Sequence, residues 1–170
     1  MKRSILVAGV GNVFLGDDAF GVETVRALAK RKLPEGVTVV DFGIRGLDFA
    51  YALLDPWDAV ILVDALQRGG PAGTLYLLEP DLIDAKKSPQ VGVEMNPHGM
   101  DPLRVLQLAF SMGEVTARIY IVGCEPYDFG DELEGRMGLS QIVESTIDGA
   151  AAMVDDLIVR ITEAVEVCPA

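Results

Sequence analysis

A chain of 170 residues, 50% hydrophobic and 24% charged, has the length and composition of one globular domain with a sizeable core. Its formal net charge of −12 argues against free nucleic acid, which needs clustered Lys and Arg, and favours a cation or a basic protein patch as partner. No apolar run reaches the ~18 residues of a membrane span, no signal-like segment opens the chain, and Cys124 and Cys168 form no C-x-x-C pair, so a soluble protein of the cytoplasm without a disulfide framework is expected.

Residues 4–10, SILVAGV, predict a buried first strand that runs into a glycine turn. Apolar residues at Phe20, Val22, Val25, Leu28 and Ala29 predict a helix over 19–32. VTVVDF (37–42) reads as a strand, LDFAYALL (47–54) as a helix ending before Pro56, and WDAVILVDAL (57–66) as a second continuous apolar strand. GTLYLLEP (73–80) follows a Gly-Gly-Pro turn and suits an edge strand. Pro89, Gly92 and Pro97 interrupt 81–97, which reads as a loop. A helix over 101–113 has Asp101 as N-cap, Pro102 at its first position and Gly113 as its stop. ARIYIVGCE (117–125) predicts the last strand, and 139–166 one long amphipathic helix. Strands alternating with helices imply βαβ units, hence a single-domain three-layer α/β/α fold over 1–170, with a twisted, mostly parallel sheet of about five strands.

In such sheets ligands bind outside the carboxyl ends of the strands. Three polar features fall there: Asp17 and Asp18 in the turn after the first strand, Asp64 at the end of AVILVD, and His98, the only histidine, before the helix at 101. Each has a plainer reading: a helix cap for Asp17 or Asp18, an Asx turn for Asp64, a loop residue or cap for His98. Together they place one imidazole and two or three carboxylates at one rim. That donor set suits nickel, zinc, manganese or iron better than copper(I), and three protein ligands leave positions open for water or substrate. There is no H-E-x-x-H and no G-x-S-x-G, which argues against a zincin and against a serine hydrolase of the elbow type. A dinucleotide reading of Gly9 and Gly11, with Asp41 as ribose-binding acid, fails at the third glycine position, which is Phe14, and puts acids where pyrophosphate needs amides.

These motifs resemble the hydrogenase maturation endopeptidases, which trim the C-terminus of the large subunit of nickel–iron hydrogenases. The resemblance rests on Gly9, Gly11 and Asn12 followed by VFLG, Asp17, Asp18 and Gly21; on ILVDA with Asp64; on GGPAGTLYLLEP; on NPHGMDPLRVL with His98; and on GCEP from Gly123 to Pro126. It implies that Asp18, Asp64 and His98 bind a metal and carry catalysis. It implies that this metal is nickel already loaded in the large-subunit precursor, with no nucleotide cofactor, and that one bond near the precursor's C-terminus is cut. Asp17 is the leading neighbour to orient a water, Asn12 a residue that fixes the turn, and a monomer with a transient heterocomplex the expected state. A non-catalytic nickel carrier or checkpoint protein is the alternative. Phe20, Ile44, Phe49 and Tyr127 are candidates either for a docking surface or for the core. Ala19, and the GIRG stretch with Ile44 and Arg45, depart from the family pattern.

Overall fold

The computed structural model describes residues 3–82, 101–130 and 133–163. Its strands are β1 (Ile5–Val10), β2 (Val37–Gly43), β3 (Ala59–Ala65), β4 (Leu75–Leu78) and β5 (Arg118–Cys124), in the spatial order β2-β1-β3-β5-β4. β1 pairs in parallel with β2 and β3, β3 pairs in parallel with β5, and only β4, at the edge, runs antiparallel. The helices are α1 (Phe20–Leu28), α2 (Gly46–Ala52), α3 (Pro102–Met112), α4 (Gln141–Glu144) and α5 (Ile147–Glu163).

Successive strand residues point to opposite faces, and both faces are covered, so β1 and β3 read as unbroken apolar runs. Ile5, Val7, Ile61 and Val63 pack with Phe20, Val25 and Leu28 of α1 and with Val154 and Ile158 of α5. Leu6, Ala8, Val60 and Leu62 pack on the other face with Phe49 of α2 and with Val105 and Leu106 of α3. These are the three expected layers.

Two helices differ from their expected extent. The helix expected over 19–32 is a 3-10 turn at Gly16–Ala19 followed by α1, which ends at Leu28. The long C-terminal helix expected over 139–166 is broken into α4 and α5. Ser140 caps α4, and the Thr146 hydroxyl and amide both donate to the Val143 carbonyl, closing α4 after one turn. Asp101 caps α3 as expected, its carboxylate accepting from the Leu103 amide at 2.9 Å. The loop expected over 81–97 lies outside the described residues from 83 onward, as does Cys168, while Cys124 is a buried free thiol.

The strand order reverses between β1 and β3. Chain leaving β1 crosses toward β2, and chain leaving β3 proceeds toward β5 and β4. Their carboxyl ends therefore flank the crevice where α/β sheets bind ligands.

Candidate functional site

The turn after β1 is built by close approach. A Cβ on Gly9 would lie 2.3 Å from Val25 Cγ2 and 2.5 Å from the Gly21 carbonyl, so a glycine is required for α1 to lie against the strand. Gly9 thus serves the packing of α1 on β1. At Gly11 φ is +132°, and a Cβ there would sit 1.8 Å from the Asp18 carbonyl oxygen.

The amides of this loop are occupied from within. Gly11 N–H donates to Gly43, Phe14 N–H to Asn12 Oδ1, Leu15 N–H to the Asn12 carbonyl, and Asp18 N–H to Leu15. Gly16 and Asp17 donate to the carbonyls of Arg136 and Asp128. The Asn12 amide donates to Asp18 Oδ2 at 2.7 Å. A phosphate cradle needs such amides free and converging on the ligand. Here they bind acceptors within the loop or on Gly43, Asp128 and Arg136, and one is aimed at a carboxylate. Asn12 fixes the turn as its side-chain chemistry suggested. Asp41, the ribose-binding candidate, pairs with Arg26 of α1 at 3.1 Å.

The loop presents Asp18 opposite Asp64, the penultimate residue of β3. Asp18 is half-buried, and burial raises its carboxyl above the ordinary range against the opposing pull of the Asn12 amide. Its Oδ1 has no protein donor among the described residues. Asp64 is 4% exposed, and its carboxyl is pushed well above the ordinary range, first by burial and then by the negative charge of Asp18. The Ala65 amide opposes this and the charge of Asp101 adds to it. A buried carboxyl raised further by the negative charge of Asp18 favours either a proton on Asp64 or a cation beside it. Carboxylate oxygens such as these are ligands that a divalent ion would take.

Asp17, the candidate for orienting a water, has another role. Its side chain is fully buried and accepts four hydrogen bonds: from the amides of Tyr127 (2.8 Å), Asp128 (3.0 Å) and Ser140 (2.6 Å), and from Ser140 Oγ (2.9 Å). It faces the chain after β5, away from water. His98, the third expected ligand, lies outside the described residues. Among the described residues no three acidic, His or Cys side chains form a metal-ligating group.

Of the docking candidates, Phe20 and Phe49 belong to the core, whereas Ile44 is 58% exposed and Tyr127 71% exposed. Arg45 is turned back on its own loop: it donates to the carbonyls of Phe42 and Asp41 and lies over the Phe42 ring.

Two acids had a role beyond their sequence reading. Asp101 is a cap that also adds negative potential at Asp64. Glu125, directly after β5, is 5% exposed and accepts from the amides of Arg68 (2.9 Å) and Gly69 (3.1 Å) and from Tyr76 Oη (2.8 Å). Desolvation pushes its carboxyl up, but these donors outweigh it and hold the group below its ordinary range. It ties the turn after β3 to β4 and β5. An acid closing a buried strand, with QRGGPAG elsewhere in the chain, was the available signal.

The chain superposes on the hydrogenase maturating endopeptidase HybD from Escherichia coli with a TM-score of 0.72 and 29% identity, covering 92% of each chain. The two thus share an α/β fold with a five-stranded, mostly parallel sheet between helices. The model of the hydrogenase maturation protease family matches residues 22–156. The hydrogenase 2 maturation protease of Escherichia coli is 32% identical over 152 residues, 88% of this chain and 87% of that one. The hydrogenase expression/formation protein HupD of Rhizobium leguminosarum is 34% identical over 132 residues, 75% of this chain, which spans 61% of that protein's length. The chain belongs to the hydrogenase maturation protease family, a family of peptidases.

Proposed function

We propose that this protein is an endopeptidase that removes the C-terminal extension of a nickel-loaded large-subunit precursor of a nickel–iron hydrogenase. The observation that carries this reading is Asp18 and Asp64 at the switch point, where the charge of Asp18 opposes ionisation of the buried Asp64, an opposition that a substrate-borne cation would relieve. Asp18, Asp64 and His98 are the residues assigned to that nickel.

In hydrolysis, water adds to the scissile carbonyl, the C–N bond breaks, and the amine leaves with a proton. Asp18, Asp64 and His98 would hold the divalent ion, and the chemistry it would supply there is polarisation of the carbonyl or activation of the attacking water. Asp18 and Asp64 would orient that ion, and without a cation the raised Asp64 carboxyl favours its protonated form. Metal dependence, a monomeric resting state and a cytoplasmic location are parts of the same reading. Among the described residues no helix is long and apolar enough to cross a membrane.

The test is processing of the precursor by the purified protein and by Asp18→Ala, Asp64→Ala and His98→Ala, with circular dichroism to check the fold. Loss of cleavage in all three folded variants is expected. Wild-type cleavage by His98→Ala overturns the assignment of that residue. Binding of the precursor without cleavage by the wild-type protein, when another processing activity cuts it, favours the carrier reading.

A further inference from the structure

The residue beside the metal-site acid carries the inference. The 14–17 segment is joined to the chain after β5 from both backbone and side chain. Asp17 N–H donates to the Asp128 carbonyl at 3.0 Å, Gly16 N–H to Arg136 at 2.8 Å, and Arg136 N–H to Phe14 at 2.7 Å. The buried Asp17 carboxylate adds four donors from Tyr127, Asp128 and Ser140. Residues 126–130 and 133–140 continue from the carboxyl end of β5, on the same rim as Asp18 and Asp64. They expose Tyr127 and Met137, each 71%, beside Phe14 at 61%. Exposed apolar side chains on a fixed backbone next to a hydrolytic site suit an extended polypeptide.

We propose that Asp17 is a positioning residue: its carboxylate sets the 126–130 and 133–140 segments against the Asp18–Asp64 pair, and these segments hold the precursor polypeptide beside the scissile bond. The inference rests on the endopeptidase reading. Asp17 touches no reacting atom and acts through the backbone it shares with Asp18 and through the segments it binds. Because the two acids are adjacent, any shift of the stapled chain is transmitted to Asp18 across one peptide unit.

The test combines kinetics with amide hydrogen exchange. Asp17→Asn removes the charge, and Ser140→Ala removes one donor as a milder variant in case the first folds poorly. Both are assayed on the nickel-loaded precursor at a temperature where each is at least ~99% folded by thermal unfolding. We expect KM to rise at least threefold and kcat to fall at least threefold in Asp17→Asn. Amide exchange should accelerate about tenfold or more in peptides covering 126–130 and 133–140, with β1 and β3 peptides unchanged. Tyr127→Ser should raise KM at least threefold without altering exchange or kcat. A purely structural role predicts a lower Tm with wild-type kcat and KM per folded molecule, and that result overturns the proposal. Unchanged KM in Tyr127→Ser overturns the contact with substrate. A wild-type protein that leaves the precursor uncut overturns the endopeptidase reading and the rate claim with it. The exchange data then still decide whether Asp17 fixes the two segments.

Discussion

Asp64→Asn should stabilise the metal-free protein, and the gain should depend on pH with a definite sign. Asp64 is 4% exposed and its carboxyl lies well above the ordinary range, because burial and the Asp18 charge both oppose ionisation. In the unfolded chain an Asp ionises near pH 4. Above that pH the native protein holds a proton that the unfolded chain has released, so native stability falls as pH rises until Asp64 itself ionises. One such group changes stability by at most ~1.4 kcal/mol per pH unit. An Asn of the same shape carries no such slope. The advantage of Asp64→Asn should therefore be near its minimum around pH 4, grow with pH at no more than ~1.4 kcal/mol per unit, and level off once native Asp64 has ionised. For a domain of this size 1.4 kcal/mol is about 3–6 °C in Tm. Thermal unfolding of both proteins in chelator, at half-unit steps from pH 4 to pH 8, measures it. A Tm difference that is flat with pH, or an Asp64→Asn protein less stable than wild type at pH 7, refutes the reasoning.

Other outcomes follow from neighbouring parts of the rim. Gly11→Ala, with φ at +132° and its Cβ 1.8 Å from the Asp18 carbonyl oxygen, should cost about 2 kcal/mol or more in urea unfolding and impair processing by displacing Asp18. Glu125→Gln should act on the acid side. The wild-type carboxyl is held below its ordinary range, so the stability it contributes is present above the unfolded Glu value and is lost as pH falls through the lowered native value. The variant should lower Tm at pH 7, with the difference disappearing at low pH; an unchanged Tm at pH 7 would mean the Arg68, Gly69 and Tyr76 donors do not stabilise it. Nickel or zinc added to the wild-type protein should raise Tm more than when added to Asp64→Asn, and equal shifts would separate the acid pair from metal binding.

Much of this fold was legible because its signals are local. The unbroken apolar runs of β1 and β3 report a sheet covered on both sides, and the Asp-Pro start of α3 reports a helix cap. Asp64 stood out because a charge closes a run of apolar residues. What could not be read depends on distant pairs. The partners of Asp17 are 110–123 residues away in the chain, so its carboxylate looked free to orient water when it is fully engaged. The C-terminal helix kept its apolar rhythm across Ser145 and Thr146, and the hydroxyl bond that ends α4 does not show in periodicity. Phe20, Phe49, Ile44 and Tyr127 are alike as apolar residues, and only the packing of α1 and α2 sorts two into the core and two onto the surface. The sequence already argued against a nucleotide loop at Gly9 and Gly11; what it did not show is that Gly9 is there for the close packing of α1 and that the loop's amides have protein acceptors.

The most direct measurement is intact mass spectrometry of a C-terminally extended hydrogenase large-subunit precursor, nickel-loaded and metal-free, after incubation with the purified protein. One discrete loss of the C-terminal tail, seen with the nickel-loaded precursor and not with the metal-free one, is the expected result. Equal cleavage of both forms would contradict nickel-dependent recognition. An unchanged mass in both, with a control protease confirming that the precursor can be processed, would contradict the endopeptidase assignment itself.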